Sequence, residues 1–128
     1  NVTQVSSASK LGDYEIIDAR SSARFKGYAT EPREGLRLGH IPGSKNVFFQ
    51  SILNNNGTMK DVTAIKTAFE DAKVNLNKPA ITTCGSGVTA AVLNLGLSRI
   101  GKTDHALYDG SWTEWGQFPT LPIETGDT

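Results

Sequence analysis

The most informative segment of this sequence is Ala80-Ile81-Thr82-Thr83-Cys84-Gly85-Ser86-Gly87-Val88-Thr89. Its first four residues are a short apolar and β-branched run after Lys78-Pro79, which predicts a buried strand. From Val88 onward, apolar residues recur at helical spacing, and Gly101 stands where that helix would end. The cysteine therefore lies at the carboxyl end of a predicted strand, where open α/β sheets build their functional sites.

Strand and helix signals alternate along the rest of the chain. The patterns predict strands at residues 14–18, 46–49, 80–83 and 106–110, and helices at 19–25, about 58–74 and from 88 onward. Residues 27–46 contain four glycines and two prolines, which predict a long loop of the kind that usually has a function when it is ordered. The alternation predicts a single α/β domain over residues 1–128, with a parallel sheet and helices on both faces.

The composition argues against several classes of function. Thirteen basic and thirteen acidic residues are spread along the chain, so no basic patch for nucleic acid or an anionic membrane is indicated. One cysteine cannot form an internal disulfide, and two histidines without a Cys-x-x-Cys pair leave too few ligands for a zinc site. No apolar run approaches the roughly 18 residues of a membrane span, and Asn1-Val2-Thr3 does not begin a signal segment. We therefore expect no metal, no nucleic-acid or membrane partner, and a reducing cytoplasmic or mitochondrial location.

The loop after the predicted strand is suited to hold a reactive sulfur. Its two glycines allow successive N–H groups to point inward, and the following helix N-terminus adds partial positive charge, which favours a thiolate. The same N–H groups would stabilise a persulfide, Cys–S–S⁻, so Cys84 can carry sulfur without a metal or a coenzyme. The alternative is that Cys84 is only a small buried hydrophobic residue, as most lone cysteines are. Its place between strand and helix favours the nucleophile.

Two hydroxyl side chains in this loop have a structural and a functional interpretation. Ser86 can donate a hydrogen bond or relay a proton at the sulfur, and it can equally cap the following helix. Thr89 lies in the first turn, where a hydroxyl is more often structural than catalytic.

Four motifs together resemble those of the rhodanese superfamily. They are the cysteine loop, Asp18-Ala19-Arg20, Gly39-His40-Ile41-Pro42-Gly43 and Tyr108-Asp109-Gly110-Ser111-Trp112. Within that superfamily, the chain is similar to the C-terminal catalytic domain of 3-mercaptopyruvate sulfurtransferases from about residue 14 to residue 115. The resemblance implies a three-layer fold with a parallel sheet of about five strands, and no cofactor besides a persulfide on the cysteine. It also implies a partner, an N-terminal rhodanese-like domain of the same protein that packs over the active site.

The resemblance assigns roles to individual residues. Cys84 corresponds to the sulfur-accepting cysteine, and the loop whose backbone amides surround the sulfur corresponds to Gly85, Ser86, Gly87, Val88 and Thr89. The two arginines that hold the substrate carboxylate fall on Arg24 and Arg33, in keeping with the bidentate geometry of a guanidinium. Without the resemblance, either arginine would more often be a solvated surface charge, and Glu31 and Glu34 would simply pair with Arg33.

Four further residues of these motifs are predicted to be structural. We expect Arg20 to form a salt bridge or hold a loop, and His40 to be a hydrogen-bonded turn residue. Trp112 and Trp115 are expected to pack in the core or at its edge rather than against a ligand.

The two residues after the cysteine favour one sulfur donor. Thiosulfate sulfurtransferases of this superfamily carry basic residues there, whereas this chain has Gly85 and Ser86. A neutral loop with arginines farther away suits a donor whose charge is on a carboxylate, which favours 3-mercaptopyruvate. The persulfide would then pass its sulfur to a thiol, such as thioredoxin or a small thiol, or to cyanide. Thiosulfate is the alternative donor, and a persulfide carrier or interaction module with little turnover is a further alternative. A cysteine phosphatase would need an arginine six positions after the cysteine, where Ala90 stands.

Overall fold

The computed structural model describes residues 2–29, 31, 36–85 and 89–126. In chain order, its elements are α1 (Val2–Leu11), β1 (Glu15–Asp18), α2 (Ser22–Lys26), β2 (Lys45–Asn46), a 3-10 helix (Phe49–Ile52), α3 (Val62–Asp71), β3 (Ala80–Thr83), α4 (Ala90–Arg99), β4 (His105–Leu107) and α5 (Ser111–Trp115). The described strands form one parallel sheet in the order β2-β1-β3-β4. No helix in these residues has the length and apolar character needed to cross a membrane.

Two apolar cores cover the two faces of the sheet. Successive residues of a strand point to opposite faces, so Ile16 and Ile81 pack on one side with α1 and α5, while Ile17 and Ala80 pack on the other. The first core also contains Val5, Ala8, Trp112 and Trp115; the second contains Ile65, Phe69, Leu93 and Leu97 from α3 and α4. The predicted layering, with helices on both faces of a parallel sheet, is confirmed.

The register of the central strands decides where the functional edge of the sheet lies. Asp18 pairs with Thr83, so β1 and β3 end at the same level. The next residues stay together, because the Ala19 N–H donates to the Thr83 carbonyl at 2.8 Å. Cys84, which follows Thr83, therefore emerges beside the segment that connects β1 to α2.

Several element boundaries agree with the sequence patterns. Asp61 caps α3 by accepting a hydrogen bond from the Ala64 N–H at 2.8 Å. Gly101 follows α4 with a φ of 89°, the left-handed conformation in which glycine commonly ends helices. The strands at the first and third predicted positions are β1 and β3.

The sheet departs from the prediction in size and at its edges. Four strands are present among the described residues, rather than about five. The second predicted strand shortens to β2, and the chain continues as the 3-10 helix. The Asn46 side chain donates to the Arg20 carbonyl and shares the Asp18 carbonyl with the Val47 N–H. The last strand ends at Leu107, because the chain from Tyr108 turns directly into α5.

Candidate active site

Cys84 is the first residue after β3, and its backbone is held by α5. The residue is 1% exposed. Its N–H donates to the Ser111 hydroxyl oxygen at 3.0 Å, and its carbonyl accepts from the Trp112 N–H at 2.9 Å. The position of the thiol is therefore fixed by the start of α5 as well as by the strand.

Gly85 continues this attachment. Its carbonyl accepts two hydrogen bonds from Thr113, one from the backbone N–H at 2.8 Å and one from the side-chain hydroxyl at 2.6 Å. The two residues at the head of the loop thus have fixed backbones.

The helix that follows the loop begins at Ala90. Thr89 stands just before it in a helical conformation, and among the described residues its side chain makes no capping hydrogen bond. The predicted loop residues Ser86, Gly87 and Val88 lie outside the described residues. The ten-residue α4 directs the positive end of its dipole toward the cysteine loop, which favours a negatively charged sulfur there.

Ser111 is a site residue that the sequence patterns did not single out. It is fully buried, has a φ of 50°, and its hydroxyl oxygen lies 2.8 Å from the Tyr108 carbonyl and 4.0 Å from Cys84 Sγ. A non-glycine residue in the left-handed region is uncommon, and such conformations concentrate at functional sites. The only sequence signal was its membership of the motif at residues 108–112.

Arg24 brings a positive charge to the cysteine loop. Its side chain is 28% exposed, and Nε and Nη2 donate to Glu31 Oε1 at 3.2 and 2.8 Å. The guanidinium lies against Gly85, since a Cβ built on that glycine would be 2.5 Å from Nη2. Two of the predicted site residues, Arg24 and Gly85, are therefore in contact beside Cys84.

Glu31 links that arginine to a second one. Its carboxylate is 1% exposed and bridges Arg24 and Arg20, with Oε2 3.1 Å from Arg20 Nη1. Arg20 also forms a bidentate pair with Asp18, donates to the Gly39 carbonyl at 2.7 Å and lies over the Trp112 ring at 4.7 Å. The salt-bridge role predicted for Arg20 is confirmed. Arg33, which the resemblance assigns to the substrate carboxylate and whose alternative was a pair with Glu31 and Glu34, lies outside the described residues.

The other motif residues are structural, as predicted. His40 is fully buried, its Nδ1 lies 2.7 Å from the Phe25 carbonyl, and its ring stacks on Phe25 with centroids 3.8 Å apart. Trp112 and Trp115 are buried and donate their ring N–H groups to the carbonyls of Arg37 and Pro122.

Tyr108 and Glu114 join the end of β4 to α5. The Tyr108 hydroxyl donates to Glu114 Oε1 at 2.6 Å. Burial raises the pKa of Tyr108 far above its usual range, and the hydrogen bond to the Glu114 carboxylate raises it further. The tyrosine is therefore a neutral donor that anchors the helix holding Cys84.

Within the part of the chain that the structure describes, no group of three or more histidine, cysteine, aspartate or glutamate side chains is placed to hold a metal ion.

The rhodanese-like domain family matches residues 1–118, and the chain belongs to that family. Over 112 residues it is 51% identical to thiosulfate/3-mercaptopyruvate sulfurtransferase 1, mitochondrial, of Arabidopsis thaliana, covering 88% of this chain and 30% of that protein. It is 49% identical over 102 residues to the 3-mercaptopyruvate sulfurtransferase of Mus musculus, covering 80% of this chain and 34% of that protein.

A solved structure supports the same relationship. The 3-mercaptopyruvate sulfotransferase SseA from Escherichia coli matches 88% of this chain and 41% of its own, with 41% identity and a TM-score of 0.75. The chain spans about a third of the length of the two curated relatives named above.

Proposed function

We propose that this chain is the catalytic domain of a sulfurtransferase that moves sulfur from 3-mercaptopyruvate, through a persulfide on Cys84, to a thiol or cyanide acceptor. The observation that carries the proposal is the Arg24 guanidinium beside Gly85, the residue next to the cysteine. A nucleophile at a helix N-terminus with a carboxylate-binding cation nearby suits a small acid that carries transferable sulfur.

The first half of the reaction loads the cysteine. The Cys84 thiolate attacks the sulfur of 3-mercaptopyruvate and forms the new S–S bond, while the carbon–sulfur bond breaks and its electron pair leaves with the carbon as the enolate of pyruvate. The enolate takes up a proton to give pyruvate. In the second half, an acceptor thiolate or cyanide attacks the outer sulfur and releases the Cys84 thiolate, so the cycle needs no metal or coenzyme.

Each predicted site residue has a place in this proposal. Arg24 and Arg33 hold the donor carboxylate. Negative charge on the sulfur is stabilised by the backbone N–H groups of the loop residues Gly85, Ser86, Gly87, Val88 and Thr89. The Ser86 hydroxyl relays the proton that the enolate receives.

The curated relatives are about three times as long as this chain, which bears on whether a further domain of the same protein is its partner. We propose that residues 1–128 form one domain, the C-terminal half of a two-domain enzyme. The chain spans about a third of each curated relative, which supports a further domain, and the motif resemblance supports the C-terminal place. An N-terminal rhodanese-like domain of the same protein would complete the site, and thioredoxin or a small thiol would accept the sulfur. We place the protein in a reducing compartment, the cytoplasm or the mitochondrion, because a persulfide-forming thiol must stay reduced; the Arabidopsis relative is named as mitochondrial.

Thiosulfate is the second candidate donor. The name of the Arabidopsis relative includes both thiosulfate and 3-mercaptopyruvate, which supports it. A third candidate function is a persulfide carrier module with little turnover. Such a module would release pyruvate or sulfite only once per cysteine, whereas a 3-mercaptopyruvate or thiosulfate sulfurtransferase would release it repeatedly.

Pyruvate release tests the proposal directly. Without an acceptor, each wild-type chain should release one equivalent of pyruvate from 3-mercaptopyruvate, and adding a thiol should convert this burst into steady turnover. Cys84→Ser should release none. A burst without turnover in the presence of thiol would support the carrier, and the absence of any burst would overturn the proposed function.

A further inference from the structure

Two glycines at opposite ends of one loop lie against each other. A Cβ built on Gly27, which follows α2, would be 3.3 Å from the backbone nitrogen of Gly39. The loop between these glycines contains Glu31, the carboxylate that bridges Arg20 and Arg24. Surface loops whose ends meet are compact units and are frequently functional. The contact between the two glycines is therefore the neck of a loop whose own carboxylate holds Arg24.

The segment 122–126 covers this neck. The Cβ built on Gly27 would be 3.1 Å from Thr125 Cγ2. A Cβ built on Gly39 would approach the Glu124 carbonyl oxygen more closely than real Cβ atoms do. The two glycines also have positive φ angles, 83° and 122°, which disfavour any side chain there. Glycine at both ends of the loop thus lets another part of the chain lie directly on the neck.

Backbone hydrogen bonds fasten the segment to both sides of the neck. On one side, the His40 N–H donates to the Glu124 carbonyl at 2.9 Å, and the Glu124 N–H donates to the His40 carbonyl at 3.0 Å. On the other side, the Gly126 N–H donates at 2.9 Å to the carbonyl of Lys26, the last residue of α2. The segment therefore ties the two ends of the loop together.

Glu31 connects the loop to the cysteine. Its carboxylate accepts a hydrogen bond from Arg20 and two from Arg24, and the Arg24 guanidinium lies against Gly85. Among the described residues, Glu31 is the only carboxylate paired with Arg24. If the ends of the loop separate, Glu31 is held less firmly and Arg24 loses its orientation, although it remains on α2.

We propose that Glu124, Thr125 and Gly126 are positioning residues for the donor carboxylate: by closing the neck, they hold Glu31, and through it Arg24, in the orientation that binds the donor. This inference rests on the proposed function. The neighbouring Ile123 packs against the core. The alternative is therefore that the whole segment serves only the stability of the fold.

Substitutions at Glu124 test the proposal. Glu124→Pro removes the N–H that binds the His40 carbonyl. It should lower kcat/KM for 3-mercaptopyruvate by about tenfold, mainly through KM, the effect of weakening one hydrogen bond to a charged group. The fall should be smaller for thiosulfate, which has no carboxylate. Glu124→Ala loses the same side chain but keeps both backbone bonds, so its effect should be smaller than that of Glu124→Pro.

Asn55→Pro is the control for introducing a proline. Asn55 is exposed and is the second residue of a turn in which the Gly57 N–H donates to the Asn54 carbonyl. Proline is favoured at that position of a turn. Asn55→Pro should therefore keep kcat/KM within about twofold of the wild type.

An Arg24→Ala background separates positioning from stability. The cation that Glu31 orients is absent there, so adding Glu124→Pro should change kcat/KM for 3-mercaptopyruvate by less than about twofold. The same loss in both backgrounds would overturn the proposal, because the segment would then support the fold or the cysteine loop and not Arg24.

A second measurement does not depend on the reaction. The ratio of the Cys84 alkylation rates by iodoacetate and iodoacetamide reports on a cation near the thiol, since the reagents differ mainly in the carboxylate. Glu124→Pro should lower this ratio toward the value of Arg24→Ala, whereas Asn55→Pro should keep the wild-type ratio. A wild-type ratio in Glu124→Pro, beside a lowered ratio in Arg24→Ala, would refute the positioning role.

The two measurements separate the possible failures. A wild type that gives no pyruvate but follows the predicted alkylation ratios would refute the proposed function and keep the positioning role. If Glu124→Pro does not fold, a chain that ends at Ile123 replaces it in both measurements with the same expected results. That chain keeps the packing of Ile123 and lacks the contacts to Lys26 and His40. If it does not fold either, the segment serves stability alone and the proposal is wrong.

Discussion

Single residues fix the backbone of Cys84, the proposed nucleophile. Ser111 accepts the Cys84 N–H, and its hydroxyl lies 4.0 Å from Sγ, close enough to turn toward a charged sulfur. One hydroxyl proton is shared between two acceptors, the Tyr108 carbonyl and the sulfur. The site therefore contains a donor that can change partner when the sulfur gains charge.

Ser111→Ala is expected to slow the loading of Cys84 and to destabilise the fold. The buried Cys84 N–H loses its acceptor, which costs about 1–3 kcal/mol. Ser111→Gly removes the same hydroxyl but adopts a φ of 50° more easily, so it should lose less stability than the alanine variant. Single-turnover pyruvate release measures the loading rate, and denaturant unfolding measures the stability.

Ser98→Ala is the control for this prediction. Ser98 is exposed on α4, where its hydroxyl pairs with His105 Nε2, so its loss should change stability by no more than about 0.5 kcal/mol. Equal losses of stability and rate in the alanine variants of both serines would contradict the role given to Ser111.

At the scale of elements, a buried chain of ion pairs connects the end of β1 to α2. Asp18, Arg20, Glu31 and Arg24 alternate in charge, and the first three side chains are almost completely buried. Removing one charge from such a set leaves its partners buried without compensation. Glu31 is the only member that contacts both arginines among the described residues.

Glu31→Gln is therefore expected to lower the free energy of unfolding by about 3 kcal/mol, the lower end of the range for a broken buried pair. The loss arises mostly at Arg20, because the Arg24 pair is partly exposed and screened. Glu70→Gln makes the same chemical change on the exposed face of α3 and should change stability by less than about 0.5 kcal/mol. Denaturant unfolding of both variants would contradict the bridging role if the two losses were equal.

The burial of Tyr108 and its contact with Glu114 should make the free energy of unfolding fall as the pH rises into the alkaline range. The pKa of Tyr108 is raised in the folded protein by burial and by Glu114, whereas an unfolded tyrosine ionises near pH 10. Above about pH 10 the unfolded chain therefore binds fewer protons than the folded one, and stability falls as pH rises.

Tyr108→Phe removes this titration, so its stability should decline less steeply than that of the wild type above about pH 10. The exposed Tyr28 gives the control, since Tyr28→Phe should keep the wild-type slope. Unfolding free energies measured between pH 8 and about pH 11 decide the matter, and identical slopes for wild type and Tyr108→Phe would refute it.

Local sequence signals predicted the elements whose own residues favour them through propensity, periodicity or a capping side chain. β3 is a β-branched buried run, and α3 has a capping aspartate and helical periodicity. The patterns missed α1, whose sequence is rich in serine and β-branched residues, because it is stabilised by burial of Val5 and Ala8 against the sheet. They overextended the second strand, which the sheet pairs on one side only.

At the scale of the whole molecule, the sheet brings three distant segments to one edge. The segment after β1 supplies Arg20 and Arg24, the loop after β3 supplies Cys84 and Gly85, and the turn after β4 supplies Ser111. Motif resemblance singled out Cys84, Gly85 and Arg24, and the structure places these three residues side by side. The parts played by Ser111 and Glu31 depend on contacts across 27 residues and through an irregular loop, which no local pattern encodes.

The central claim is that Cys84 receives sulfur from a mercapto-acid, and intact mass spectrometry tests it most directly. Wild-type protein incubated with 3-mercaptopyruvate should gain one sulfur atom, about 32 Da, and lose it again on treatment with a thiol or cyanide. Cys84→Ser should gain nothing. A wild-type mass that does not change, or a Cys84→Ser variant that still gains sulfur, would contradict the account.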